Sequence, residues 1–275
     1  MREEILIESR NNATVRDFAK LADKKYRSRE QSFLCDGAKL FAEAVNAAAQ
    51  IEAVLLLSGK DNPIITDTLA RMRADERYRD TRLFRLTQAV FDKLCDEKSP
   101  DGVITVIKCL DNFKKVYKIE RNDAEAMQDE KLMLLFGVRD PGNLGTVVRS
   151  AAAFGFDRLI LSSDCADLYH PRALRGAMGA LFRMQATVVA DFASAITALR
   201  AAGRRVYAAE LREGAVSVDT VSPTAADCFV IGNEGHGIAP EISALCTGSA
   251  YIPIAPTSES LNAATAASIL AYIQR

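Results

Sequence analysis

The six cysteines, Cys35, Cys95, Cys109, Cys165, Cys228 and Cys246, lie far apart and form no C-x-x-C, which argues against both a zinc ribbon and a secreted disulfide framework. They are expected to be reduced, mostly buried thiols. Only two histidines occur. His170 precedes Pro171 in a loop with no other metal-binding group at suitable spacing, so no metal site is expected. No segment offers the roughly 20 uninterrupted apolar residues of a membrane span, and the opening MREEILIESRNN lacks the apolar run of a signal peptide. A soluble, cytoplasmic chain without a membrane partner is expected. G-x-G-x-x-G is missing after the first strand of the second α/β half, where GVRDPGNLGTVVRS has the wrong spacing, and G-x-x-x-x-G-K-[ST] is absent. A dinucleotide-dependent oxidoreductase and a P-loop nucleotidase are thereby disfavoured.

What is present is a 275-residue chain with 49% hydrophobic residues, enough for one large or two modest globular domains. Its net charge of -1 conceals an asymmetry: residues 1–118 carry 22 Lys and Arg against 19 Asp and Glu, and residues 119–275 carry 13 against 17. The basic excess concentrates in TVRDFAKLADKKYRSRE, read as a helix near 13–24. There Val15, Phe18, Ala19, Ala22 and Tyr26 make an apolar stripe, while Arg16, Lys20, Lys24 and Arg27 project elsewhere as a phosphate-contacting or a merely solvated face.

Residues 1–112 alternate helical and strand patterns as a smaller α/β domain, and 113–130, charged and weakly patterned, read as a connection. Residues 131–275 open with KLMLLFGV, a run suited to a strand buried on both faces, and continue with strands at RLILSS, MQATVV, RVYAAEL, CFVIGN and AYIPI between helices. That pattern predicts a mostly parallel sheet with helices on both sides, whose ligands bind beyond the carboxyl ends of the strands.

Three segments at such ends are unusual. DPGNLGTVVRSAAAFG puts Asn143 at the mouth of a helix and Arg149 one to two turns in, among small and apolar residues. IGNEGHGI brings glycines that allow tight turns and close approach to the backbone. IPIAPTSESLNAATAASILAY opens a small-residue helix with Ser260 and Asn262. Each admits an ordinary structural reading: Asn143 and Ser260 as helix caps, the glycines as turns, Arg149 in an ion pair with Glu234.

In order and spacing the three segments resemble the motifs of the SpoU/TrmH family of S-adenosylmethionine-dependent RNA ribose methyltransferases. The resemblance covers about residues 131–275, and SRNNATVRDFAKL through SPDGVITVIK more weakly resembles the family's amino-terminal substrate-binding domain. It implies a trefoil-knotted catalytic domain, a homodimer, and a structured RNA substrate, with rRNA favoured and tRNA the alternative. By motif position, Gly232, Ile252 and Leu261 would hold S-adenosylmethionine, and Asn143, Arg149, Glu234, Ser260 and Asn262 fall on catalytic positions. His236 receives no role. A ribose 2'-hydroxyl is a poor nucleophile until its developing alkoxide is stabilised, and Arg149 can clamp the adjacent phosphate while supplying that charge. The family's usual proposal makes this arginine a general base; its very high intrinsic pKa favours the electrostatic role. The competing class is a non-catalytic RNA-binding module that keeps the fold.

Overall fold

The computed structural model describes residues 1–95 and 99–275. They divide into two compact units, Met1–Leu110 with Tyr169–Phe182, and Asp111–Leu168 with Arg183–Arg275.

The smaller unit contains β1 (Glu4–Ile7), α1 (Ala13–Lys20), α2 (Lys24–Glu30), β2 (Ser32–Asp36), α3 (Ala38–Asn46), β3 (Ile51–Leu57), α4 (Pro63–Ala74), β4 (Arg82–Leu86), α5 (Gln88–Phe91) and β5 (Val103–Lys108). Its sheet runs β1-β4-β3-β5-β2, with β3 antiparallel to β5 and parallel to β4. The apolar run of β3 lies at the centre, and Phe18 of α1 packs edge-on against Phe84 of β4. The single helix expected near 13–24 is two. Asp23 sits in extended backbone and accepts from the Lys25 N–H at 2.7 Å, so a new helix starts there.

The larger unit contains β6 (Phe113–Val116), α6 (Arg121–Ala126), β7 (Leu132–Leu135), α7 (Pro141–Ala153) and β8 (Arg158–Ser162). The next helix, α8 (Pro171–Ala177), belongs to the smaller unit, and β9 (Gln185–Val189), α9 (Phe192–Ala201), β10 (Val206–Ala209), β11 (Val216–Ser217), α10 (Val218–Val221), β12 (Cys228–Ile231), α11 (Pro240–Ser243), β13 (Gly248–Tyr251) and α12 (Ala263–Ile273) complete the larger one. Its eight-stranded sheet, β11-β13-β10-β12-β7-β8-β9-β6, is parallel at every pairing. The β7 and β12 strands are buried throughout, as an all-apolar run in a covered sheet requires.

Two placements differ from the sequence reading. Residues 113–130 are more than a connection: β6 pairs with β9, and Ile119, Ala124 and Met127 join the core beneath α9. The lysines that make this passage look like a linker suit an edge strand, where charge blocks further pairing. Residues 169–182 pack with the smaller unit, where the Tyr169 ring stacks on Phe33 at 4.5 Å and its hydroxyl accepts from the Leu110 N–H at 2.7 Å. All six cysteines are free, four of them buried.

Candidate active site

The site grows from the carboxyl ends of β7, β12 and β13. After β7 the chain turns at Gly137, and Asp140 caps α7 by accepting from the Asn143 N–H at 2.9 Å, with Pro141 opening the helix. Asn143 therefore lies in the first turn, and Arg149 follows six residues on, about 120° away around the helix axis.

After β12, Asn233 and Gly237 close a turn with two backbone hydrogen bonds of 2.9 Å. Gly237 takes the left-handed φ of 66° that this turn demands. Gly232 is glycine for a different reason: a Cβ there would stand 2.5 Å from the carbonyl carbon of Gly237. The Asn233 side chain fastens the turn, donating to the Gly137 carbonyl at 2.7 Å and accepting from the N–H groups of Gly235 and His236.

The Glu234 carboxylate reaches back to α7. It accepts from Asn143 Nδ2 at 2.9 Å and from the Arg139 and Asp140 N–H groups at 3.3 Å. From the third segment, Asn262 caps α12, its Oδ1 accepting from Ala264 and Thr265, while its Nδ2 donates to Asn143 Oδ1 at 3.0 Å. Both amide orientations are thus fixed from the two ends. Backbone N–H groups claim the Asn262 oxygen, which turns its nitrogen to Asn143, which in turn leaves the Asn143 nitrogen for the carboxylate. Three segments distant in sequence are joined by one hydrogen-bonded chain. The last helix also lies along α7, where Ser150 and Ser268 share a 2.7 Å hydrogen bond and Phe154 meets Tyr272 edge-on.

The ordinary structural readings divide. Neither Asn143 nor Ser260 is a helix cap, since Asp140 and Asn262 fill those positions. The Arg149–Glu234 ion pair does not form: Arg149 is exposed and makes no hydrogen bond or ion pair among the described residues. Ser260 is likewise exposed and without a hydrogen bond among them. Gly232, Ile252 and Leu261 are half-buried. Among the described residues one backbone–backbone hydrogen bond forms between Pro253 and Leu261, from the Ser258 N–H to the Ala255 carbonyl at 2.9 Å, so most of that exposed loop's backbone groups face solvent.

Sequence reasoning missed a second cluster beside these residues. Ser162, at the end of β8, accepts from the Gly137 N–H at 2.9 Å and donates to Asp164 at 2.6 Å, while Arg139 pairs with Asp164 at 3.2 Å. Burial pushes the Asp164 carboxyl up, but the bonds from Ser162 and Arg139 outweigh it and hold the group below the usual carboxylate range. The signal was the polar SSD directly after an apolar strand.

In the smaller unit, Arg16, Lys20 and Lys24 are exposed, and Lys20 pairs with Asp17 at 2.8 Å. Arg27 was expected beside them and is instead 4% exposed, its guanidinium donating to the Leu21 and Ala22 carbonyls at 2.8 and 2.6 Å. The break between α1 and α2 leaves carbonyls at the end of the first helix, and Arg27 satisfies them. Among the described residues no group of His, Cys, Asp and Glu could hold a metal ion, and no helix is long and apolar enough to cross a membrane.

The fold of this chain is similar to those of solved S-adenosylmethionine-bound methyltransferases. The AdoMet-bound rRNA methyltransferase from Sinorhizobium meliloti superposes with a TM-score of 0.80 at 26% identity, covering 98% of this chain and 97% of that one. The SpoU methyltransferase AviRb from Streptomyces viridochromogenes, in complex with AdoMet, does so at 0.76 and 25%, covering 95% and 97%. In sequence, the 23S rRNA (guanosine(2553)-2'-O)-methyltransferase RlmP of Bacillus subtilis (strain 168) is 30% identical over 266 residues, 97% of each chain. Residues 130–272 match the SpoU rRNA Methylase family, and residues 12–105 match the MRM3-like substrate binding domain. The chain belongs to the SpoU rRNA methylase family.

Proposed function

We propose that this protein transfers a methyl group from S-adenosylmethionine to a ribose 2'-hydroxyl of rRNA. The observation that carries the reading is the chain Asn262–Asn143–Glu234, which presents a fixed polar surface on the same helix as an arginine with no partner among the described residues. When bound, the cofactor supplies a methyl group already activated by its sulfonium, which removes any need for a metal. The loop from Pro253 to Leu261 offers it backbone N–H and C=O groups that few bonds inside the protein engage. Gly232, Ile252 and Leu261 are assigned to hold it through backbone groups.

Arg149 clamps the phosphate beside the target ribose with its planar fork and sets positive charge where the alkoxide develops. Asn143 and Asn262, pre-oriented by Glu234 and by the first turn of α12, position the nucleotide without reorganising. Ser260, with no hydrogen bond inside the described structure, bonds the ribose. Residues 131–275 carry catalysis and residues 1–112 bind RNA through Arg16, Lys20 and Lys24, while 113–130 are built into the larger unit through β6; the named activity of the B. subtilis relative favours rRNA over tRNA. The same family membership supports a trefoil knot formed by the carboxyl end passing through a loop and a homodimer through α12, and the bacterial relative favours a cytoplasmic enzyme. Tyr272 is 51% exposed at the surface of that helix, which suits a covered face.

Transfer of labelled methyl to purified rRNA and tRNA, assayed separately, tests the reading. Label in rRNA, resistant to alkaline cleavage at the modified ribose, is the expected result. Transfer to tRNA alone would move the substrate class, and cofactor binding with no transfer to any RNA would leave a binding module. Light scattering should give twice the 29.9 kDa chain mass.

A further inference from the structure

Within the smaller unit, a cleft of 440 Å³ opens between α1, α2 and one end of the sheet. Its volume falls in the range of about 300–1,000 Å³ typical of small-ligand sites. Four cations and three carboxylates line it. Three of the cations are already matched, Lys20 with Asp17 at 2.8 Å, Arg29 with Glu30 at 2.7 Å and Lys108 with Glu52 at 3.0 Å. Arg82 is the exception. It is half-buried, and it makes no hydrogen bond or ion pair among the described residues. Its guanidinium lies 5.2 Å from the centre of the Phe18 ring. That contact, together with one to Phe84 at 5.9 Å, uses the rings' π-faces and takes none of the guanidinium's N–H donors, which remain available to an anion. In the same cleft the Tyr26 ring is half-buried, with Arg29 at 4.8 Å from its centre.

We infer that this cleft binds one unpaired nucleotide of the RNA, its phosphate on Arg82 and its base against Tyr26. The inference rests on the reading that the protein acts on RNA. An uncommitted guanidinium and a half-buried aromatic ring lining one cleft are the chemistry that single-stranded nucleic acid uses, a point charge for the backbone and a π-face for the base. An acidic peptide would use the cation and leave the ring without purpose. A duplex does not fit, because its stacked bases offer no free face and the cleft has the volume of one small ligand. The Lys20–Asp17 and Arg29–Glu30 pairs are no obstacle, since exposed ion pairs are individually weak and exchange readily for phosphate.

The test uses the full-length protein and a fluorescent single-stranded oligouridylate of about ten nucleotides, followed by anisotropy across a salt series. Arg82→Met keeps the aliphatic packing on Phe18 and removes the charge; it should weaken binding about tenfold and lower the salt slope by about 0.7. Tyr26→Ala should weaken binding about as much, and Tyr26→Phe should restore it. S-adenosylmethionine binding and melting temperature should stay at wild-type values in all three. Wild-type oligonucleotide affinity in both Arg82→Met and Tyr26→Ala overturns the proposal, as does equal competition by duplex RNA or by polyglutamate. Millimolar inorganic phosphate displacing the oligonucleotide from wild type but leaving Arg82→Met unaffected supports the phosphate half of the assignment. If the wild-type protein methylates rRNA and the cleft variants bind as it does, the cleft assignment alone falls. If wild type methylates no RNA, the functional reading falls first.

Discussion

Arg149→Lys separates the two things an arginine on α7 can do. Arg149 is exposed and holds no partner among the described residues, while its neighbours Val147 and Val148 are buried. The side chain therefore carries no folding interaction that the substitution removes, and the stability change should stay within the roughly 0.5 kcal/mol of a surface replacement. For a chain of this size that is a melting shift of no more than about 2 °C. The effect on turnover should be far larger. Lysine keeps the charge but loses the planar fork that grips phosphate at two points, and losing one preorganised electrostatic contact costs about 10²–10³ in rate, or about 2.7–4 kcal/mol of barrier. Single-turnover methyl transfer to rRNA, calorimetric binding of S-adenosylmethionine and scanning calorimetry of the variant measure the three quantities independently. A large rate loss with intact folding and cofactor affinity supports the clamp. Near-normal transfer by the lysine variant would refute bidentate recognition, and near-normal transfer by Arg149→Ala as well would remove Arg149 from catalysis altogether. A melting point lowered by ten degrees would contradict the exposure on which the reasoning stands.

Asn262 tests the hydrogen-bonded chain. Asn262→Asp keeps an acceptor for the Ala264 and Thr265 N–H groups but cannot donate to Asn143, so it should fold as wild type and lose turnover, whereas Asn262→Ala also forfeits a helix cap worth about 1 kcal/mol; equal activity of the aspartate variant and wild type would show that the Asn262–Asn143 contact is idle. In the smaller unit, replacing Arg16, Lys20 and Lys24 together by Ala should weaken RNA binding and flatten its salt dependence, while Arg27→Ala should lower the melting temperature because it strips the Leu21 and Ala22 carbonyls of their donor. An Arg27→Ala protein of unchanged stability would disprove the burial argument. Asp227 is buried, and although that burial acts to raise its pKa, the bonds from Arg205 and Thr224 prevail and hold it below its ordinary value. Its stabilising contribution is therefore complete above the unfolded-state pKa near 3.8 and is lost as pH falls through the lower folded value, so acid unfolding of Asp227→Asn should be less steep than that of wild type.

Much of the scaffold was legible in the sequence because it is written in local periodicity. An uninterrupted apolar run such as LMLL suits a strand covered on both faces, and a Pro directly after an Asp announces the start of α7. Beyond such strands lie the polar loops, and the resemblance of those loops to the family's motifs is what picked out Asn143, Glu234 and Asn262 before their partners were known. Where a residue's partner is distant along the chain, pattern says nothing. The Asn143–Glu234 and Asn262–Asn143 bonds span 91 and 119 residues, and only the register of β7 with β12, together with the packing of α12 along α7, brings those amides within 3 Å. Arg27 shows the same limit: its spacing along a continuous helix puts it in solvent, but Asp23 ends that continuity and turns the guanidinium inward onto carbonyls the broken helix exposes. Residues 169–182 read as part of the second half by position and pack with the first through Tyr169 on Phe33. Chain order determined which elements form and where ligand-binding loops sit; the closing of hydrogen bonds and ring contacts between remote segments, a matter of three-dimensional proximity alone, decided which polar side chains are held in place and which, like Arg149, stand free to act.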